Sequence, residues 1–542
     1  MTDRPGRAGL AAIGVSVALT VAVAAAGPSV MEPALPGRPG QPPWSLGAHP
    51  SPYLVVGLTA AALAAGTLGL VLVLRAIRAG WTVPARPVLV AGLLAAAALT
   101  LLPPFGSSDQ LSYAAYGRML VTGHNPYTTT PAQLAALGDP IARAVQDWFT
   151  TPSVYGPLAT GIQGLASLIG GTSVRLTVFV LGLANLAAFA LTALLLHRMT
   201  RGDPVRQLRA AVLWACNPLL LQILVAGAHV DGQAAVFGVA AVAVLFPPCR
   251  GGLGGKVSPQ DRGGFGRGRP LRASTAGALV GLGFAVKVSD VLIGLGLAVA
   301  LVLGLRPAWR RLLPVLAAFA AGFLAIAGAA VAIGGSAMLE ESSRASDMVS
   351  IGSPWRVIRS GIHLVLGGAA ATDVVKAGAI ALAVVLAVLL VRGLPGVSRV
   401  PAGYAAAGVV FAFVLGWLFA WPYVLPWYDT LAWALLPLVP LGMTAGANLD
   451  WIYWLVLART AALGFGYLPA RQADVTLPAG LTWLQPVIRH GITPAVLAAA
   501  TVWLLILMLR SRSSGPPVPG GAGDATGASG AATTAPEAAR PA

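Results

Sequence analysis

Long apolar runs recur along this chain, separated by short clusters of charge, proline and glycine. About 20 apolar residues in a helix cross a bilayer core. Runs near 8–27, 52–74, 87–104, 173–196, 210–226, 232–246, 273–288, 289–305, 312–334, 372–391, 403–420, 429–444, 451–468 and 492–510 therefore predict a bundle of membrane helices, some short or paired. Three stretches between them, 105–171, 335–371 and 469–491, are too long to be turns and share one predicted side. Loops on a rigid scaffold are where function tends to sit. The apolar stretch after Arg4 and Arg7 reads either as a signal peptide ending near Ala24-Ala25-Ala26 or as an uncleaved first helix. Its length favours the helix.

Composition fixes the class. Of 542 residues, 56% are hydrophobic and 10% charged, which makes this an all-α polytopic membrane protein. Abundant glycine and proline are tolerated in packed membrane helices. With the N-terminus inside, the whole formal net charge of +17 falls on the cytoplasmic junctions. That is the positive-inside bias; it orients the chain and does not signal a nucleic-acid partner. The basic loop 247–272 is read as touching anionic lipid rather than RNA, and its Gly251–Gly255 cluster follows no strand, so it is not a phosphate loop. Cys216 and Cys249 imply no disulfide framework. A single membrane domain spans 1–510, and the Gly, Ala, Pro and Thr rich tail 511–542 is expected to be disordered.

Candidate chemistry begins at Asp109, a carboxylate just outside the third predicted helix. An acid there is either a general base for a hydroxyl arriving from the outer side or, with Ser108, the N-cap of a short helix. Leu111–Val121 fits an interfacial helix with Tyr113 and Tyr116 at headgroup level. Ala228-His229-Val230-Asp231-Gly232-Gln233 marks a turn between two short helices. His229 and Asp231 could bind phosphate, orient sugar hydroxyls or ligate a metal, or simply cap the turn. No complete metal site can be assembled from the sequence. Lys287 either pairs with Asp290 at a re-entrant bend or reaches a phosphate. Arg356, beside Trp355, suits a lipid phosphate or plain headgroup anchoring. Trp427 and Tyr428 suit an aromatic belt or sugar stacking. Arg459 falls mid-helix and needs an acid or a polar cavity.

The run Asp109-x-x-x-Tyr113-Ala114-Ala115-x-Gly117-Arg118, with Gly123-x-Asn125-Pro126-Tyr127 and Trp421-Pro422-Tyr423-x-x-Pro426-Trp427-Tyr428, resembles the polyprenol-phosphomannose-dependent α-1,6-mannosyltransferases of actinobacteria, within the GT-C superfamily. The resemblance implies a GT-C-type bundle of about 13–14 transmembrane helices with short interfacial helices in its outer loops. It implies a polyprenyl-phosphate sugar donor, a glycan or glycolipid acceptor, no nucleotide and no cofactor. It places the protein in the plasma membrane with the active site facing outward, and makes Asp109 the catalytic base of an inverting transfer. Tyr113, Arg118, His229, Asp231, Lys287, Arg356, Trp427 and Tyr428 are then candidates for the donor phosphate or sugar. Family members tend to carry His-Asn-Asp where this chain has His229-Val230-Asp231, which puts a sugar contact at Val230 in doubt. The alternatives are a carrier or flippase of a lipid-linked sugar, favoured by Lys287 and Arg459 within apolar runs, or a GT-C enzyme using another polyprenyl-linked sugar such as arabinofuranose.

Overall fold

The computed structural model describes residues 3–247, 269–305, 308–394, 400, 402–439, 451–470 and 476–510. Among these, eight helices are long and apolar enough to cross a membrane, and four shorter apolar helices accompany them. The chain is a multi-pass membrane protein. Every predicted span except 429–444 is occupied by a helix.

The first two helices, α1 (Asp3–Ala26) and α2 (Pro52–Arg78), form a tight antiparallel pair. The buried stripe of α1 is Gly6, Gly9, Ile13, Ser16, Thr20 and Val23, the 3–4 spacing of one helix face. Its small residues let the backbones approach, and Ser16 Oγ donates across the interface to the Ala62 carbonyl at 2.7 Å. Ser51 caps α2 and Pro52 begins it, while Arg75 and Arg78 end it near the negative pole. Beyond α3 (Ala85–Thr100) the chain enters the first long segment, with α4 (Asp109–Val121), α5 (Pro131–Ala136), α6 (Pro140–Arg143) and α7 (Pro157–Gly170) before α8 (Val174–Met199) returns to the membrane.

The helix α4 is not exposed as a lone interfacial helix would be. Tyr113 and Tyr116, expected at headgroup level, are buried, and so is nearly every residue from Asp109 to Gly117. The reason is crowding from α6, α7 and α8, which cover it on all sides. Gly117 allows that approach: a Cβ there would run into the Gln163 backbone carbonyl of α7. Gly117→Val is therefore expected to destabilise the chain by about 1–3 kcal/mol or more, read as a lowered thermal midpoint of detergent-purified protein. An unchanged midpoint would refute the packing account.

The next pair is α9 (Pro204–Val225) and α10 (Asp231–Leu245). Asn217-Pro218 interrupts α9, and Asn217 Oδ1 recaps it by accepting from Leu219 N and Leu220 N. Then α11 (Arg269–Val286) and α12 (Val291–Leu305) meet at Lys287, whose backbone is extended. That break removes the continuous helix an i,i+3 pair requires. Lys287 accordingly does not pair with Asp290 but with Asp231, at 2.5 Å.

The long helix α13 (Trp309–Ser346) contains a kink at Gly335, where φ is +70°, at the position where the second external segment was expected to begin. Next comes α14 (Pro354–Leu366), strongly amphipathic, with Val357, Leu364 and Val365 exposed as in an interfacial helix. After α15 (Gly368–Gly393) and α16 (Ala402–Ala420), a turn leads into the short α17 (Thr430–Leu435). Pro437 limits it, and 440–450 lie outside the described residues, so the expected span 429–444 is only partly described. The bundle ends with α18 (Trp451–Gly466) and α19 (Thr493–Arg510). Most of the basic loop, Cys249 and the tail from 511 also lie outside the described residues.

Arg75 stacks over Trp454, Arg206 over Tyr404, and Arg209 donates to Tyr453 Oη at 3.2 Å. These contacts gather the end of α2 and the starts of α9, α16 and α18 at one face, and the three long segments converge elsewhere.

Candidate active site

All three long segments and the turn before α17 meet around one cavity of about 400 Å³. The first supplies Ser107, Asp109, Asp147 and Trp148. The second supplies Met348–Gly352 and Arg359, the turn Tyr423 and Trp427, and the third Arg489, beside Tyr467 from the end of α18. Ser350 latches the second segment to the turn: its Oγ donates to the Val424 carbonyl and accepts from Val424 N, both at 2.9 Å.

Asp109 sits at the first position of α4 with its carboxylate in the cavity wall. Ser108 occupies the N-cap position without a side-chain cap bond, so the carboxylate of Asp109 is not used for capping. Trp148 Nε1 donates to Asp109 Oδ1 at 3.1 Å, and His229 Nδ1 stands 3.6 Å from Oδ2. Ser108 and Ser112 hold the strand of chain carrying Trp148, donating to the Asp147 carboxylate and carbonyl at 2.8 and 3.0 Å. Burial pushes the Asp109 carboxyl up to about 7; the Trp148 bond and Lys287 oppose this, while the charges of Asp147 and Asp231 add to it. A carboxylate so tuned is poised to take a proton near neutrality.

Behind Asp109 lies an aromatic and polar layer. Tyr155 Oη donates to Tyr113 Oη at 3.3 Å, and Tyr113 Oη lies 3.4 Å from His229 Nδ1. The imidazole stacks on Trp427 with centroids 3.7 Å apart and 14° between planes. Burial and the Lys287 charge hold His229 well below its ordinary pKa, so it is neutral. Asp231, Lys287 and Tyr428 form a second group: Lys287 Nζ pairs with Asp231 and lies 3.8 Å over the Tyr428 ring.

The structure thus gathers Asp109, Tyr113, His229, Asp231, Lys287, Trp427 and Tyr428, and leaves two candidates aside. Arg118 is engaged by Asp139 at 2.7 Å, where it ties α4 to the cap of α6. Arg356 is exposed on α14; Arg359, one turn on, is the arginine that reaches the cavity. Tyr428 does not present a free ring, since Lys287 covers one side and Trp417 stacks at 5.8 Å. Trp427 is buried rather than part of an outer belt, with one face taken by His229. Among the described residues no His, Cys, Asp and Glu set is grouped as a metal ion would need. Sequence reasoning missed Trp148, Arg489 and Tyr467. The first has no local signature; the Arg489-His490 pair in a segment between apolar runs was the available signal for Arg489.

The chain matches the family described as "Alpha-(1->6)-mannopyranosyltransferase, N-terminal domain" over residues 11–304, more than half of its length. The chain belongs to this family. A probable alpha-(1→6)-mannopyranosyltransferase of Mycolicibacterium smegmatis is 34% identical over 28% of this chain and 24% of its own. One from Mycobacterium tuberculosis is 34% identical over 27% of this chain and 25% of its own. Alpha-(1→6)-mannopyranosyltransferase B of Corynebacterium glutamicum is 27% identical over 71% of this chain and 62% of its own. The matched part thus spans about a quarter of the first two relatives and under two thirds of the third. Within the alpha-(1→6)-mannopyranosyltransferase family match lie Asp109, Tyr113, Trp148, His229, Asp231 and Lys287. Arg359, Trp427 and Arg489, on the other side of the cavity, lie beyond it.

Proposed function

We propose that this chain is a membrane mannosyltransferase that moves mannose from polyprenyl-phosphate-mannose to an α-1,6-mannan or lipid-linked mannoside on the extracytoplasmic face of the plasma membrane. The observation that carries this reading is a cavity in a membrane bundle with a single carboxylate tuned near neutrality, Asp109, and two arginines, Arg359 and Arg489, also in its lining. Family membership supports mannose. In the reaction, Asp109 accepts the proton of the acceptor hydroxyl as its oxygen attacks the anomeric carbon. The new C–O bond forms, the bond from that carbon to the phosphate oxygen breaks with inversion, and polyprenyl phosphate leaves. Arg359 offers a donor fork suited to phosphate oxygens as charge builds there, while Arg489 donates to the Gly466 and Pro469 carbonyls and adds its charge to the wall. The carrier alternative loses its motive, because Lys287 and Arg459 are each paired with a buried carboxylate, Asp231 and Asp429.

The test is transfer of labelled mannose from polyprenyl-phosphomannose to a short α-1,6-mannoside by purified full-length chain, run beside a polyprenyl-phospho-arabinofuranose donor. Transfer of mannose alone is expected. Transfer of arabinofuranose alone, or of neither sugar, would overturn the reading.

The tuned carboxylate also sets a pH dependence. A base works only when ionised, so the rate is expected to climb with pH and level off above about 7, whereas an ordinary aspartate near 3.8 would leave it flat from pH 5 upward. Trp148→Phe removes a donor to the ionised form and should move the midpoint higher. A flat profile between pH 5 and 8 would rule out Asp109 as the titrating base.

A further inference from the structure

Among the described residues, three non-glycine residues adopt a left-handed backbone, and two of them carry the partners of Asp109. Trp148, at φ +61°, is itself the donor to Oδ1. Ala228, at φ +52°, immediately precedes His229 in the turn between α9 and α10. An L-residue rarely adopts this conformation, and it persists where surrounding bonds over-determine it. Those bonds are present. Asn185 Nδ2, from α8, donates to the Ala228 carbonyl at 2.8 Å, and Gln233 Nε2, from α10, donates to Asn185 Oδ1 at 2.6 Å. All three side chains and the turn are buried. At Gly227, a Cβ would press on the imidazole itself.

The imidazole held in this way is not placed to meet a substrate. His229 does not line the large cavity; it faces a small space of about 30 Å³ behind Trp427, and Trp427 stands between it and the cavity. What it does reach is Asp109 Oδ2. We propose that His229, set by the strained Ala228 turn and the Asn185–Gln233 clamp, is a positioning residue that fixes the catalytic carboxylate, and is not a contact of the sugar donor. The proposal rests on Asp109 being the base. The ring is neutral, so it acts through one N–H and not as a charge. Nδ1 lies 3.4 Å from Tyr113 Oη, which already receives the hydroxyl of Tyr155, and 3.6 Å from Asp109 Oδ2; the carboxylate is the stronger acceptor, and a closure of a few tenths of an ångström on substrate binding would give it the Nδ1 proton. Trp148 Nε1 bonded to Oδ1 and His229 beside Oδ2 leave the carboxylate lone pairs for a hydroxyl arriving from the cavity.

His229→Phe keeps an aromatic ring against Trp427 and deletes the N–H; His229→Asn returns an N–H near the position of Nδ1. In the full-length chain, His229→Phe is expected to lower kcat by about 10- to 100-fold, as losses of supporting hydrogen bonds do at other sites, with donor KM changed less than twofold. His229→Asn should recover much of kcat. A second readout needs no donor. The protonated-carboxyl infrared band that disappears in Asp109→Asn reports the titration of Asp109, which also faces Asp147, Asp231, Lys287, Tyr113, Tyr116 and Tyr155. Its midpoint is expected to rise in His229→Phe, because a donor to the ionised form is gone, and to return toward wild type in His229→Asn. An unmoved midpoint, or a raised donor KM with kcat intact, would overturn the proposal. A midpoint that moves in His229→Phe, beside a wild type that transfers no mannose, would leave this inference standing and remove the proposed function instead.

Discussion

Asp109→Asn is expected to lower kcat for mannose transfer by about 10²- to 10⁴-fold, the range for loss of a general base, with the donor KM little changed. Asparagine keeps the shape of the side chain, and its carbonyl oxygen can still accept from Trp148 Nε1, which reaches Asp109 at 3.1 Å. What it loses is basicity. The acceptor hydroxyl must then attack while keeping its proton, and that difference is felt in the transition state and not in the bound ground state. The side chain is largely buried, so water cannot easily reach the same point to act as a substitute base. Steady-state kinetics on detergent-purified protein, matched for elution volume to the wild type, would measure it. Retention of more than a tenth of the wild-type kcat would remove Asp109 as the base.

The largest expected stability effect lies just below the site. Asp429→Asn should destabilise the chain by about 3–5 kcal/mol, the usual cost of stranding one member of a buried ion pair. Arg459 Nε donates to Asp429 Oδ1 at 2.8 Å with both side chains almost wholly buried. Thr460 Oγ1 donates to the other carboxylate oxygen at 2.7 Å, and Trp433 Nε1 donates to Thr460 at 3.0 Å. This network joins α18 to the turn that carries Trp427. Removing the negative charge leaves a guanidinium in an apolar bundle with no compensation, and Arg cannot escape by losing its proton. The double change Asp429→Asn with Arg459→Met should be less damaging than Asp429→Asn alone, because the stranded charge goes with it. Thermal or denaturant unfolding in one detergent would compare the three. A single variant within 1 kcal/mol of wild type, on the order of an exposed pair, would show that the pair is dispensable.

Much of the architecture was legible in the sequence because bilayer spanning is a local property. A run of apolar residues long enough to cross hydrocarbon must satisfy its backbone within itself, so it becomes a helix whatever surrounds it. That is why the helical spans and the break near Lys287 could be read from hydropathy. The non-helical break at Gly335 falls where the same pattern placed the end of an apolar run. Arg459 likewise announced a partner, since a charge at that depth needs one.

Partners and faces were not legible, because they depend on residues far away in the chain. Tyr113 and Tyr116 carry the aromatic signature of a membrane interface, but α6, α7 and α8 enclose them. Lys287 and Asp290 have helical spacing, but the chain is extended at Lys287 and α10 offers Asp231. Arg118 and Arg356 are chemically as fit for phosphate as Arg359 and Arg489; only the fold turns the first to Asp139, leaves the second outside, and brings the other two to the cavity. By itself, the sequence determined a polytopic helical membrane protein and an acid at the start of a long segment between apolar runs, since each of these depends on local hydropathy and charge. Tertiary structure alone decided which groups surround that acid. Hydrogen bonds and stacking act over a few ångströms, and Trp148, His229 and Trp427 come within that range of Asp109 or of one another only when four separate parts of the chain are folded together.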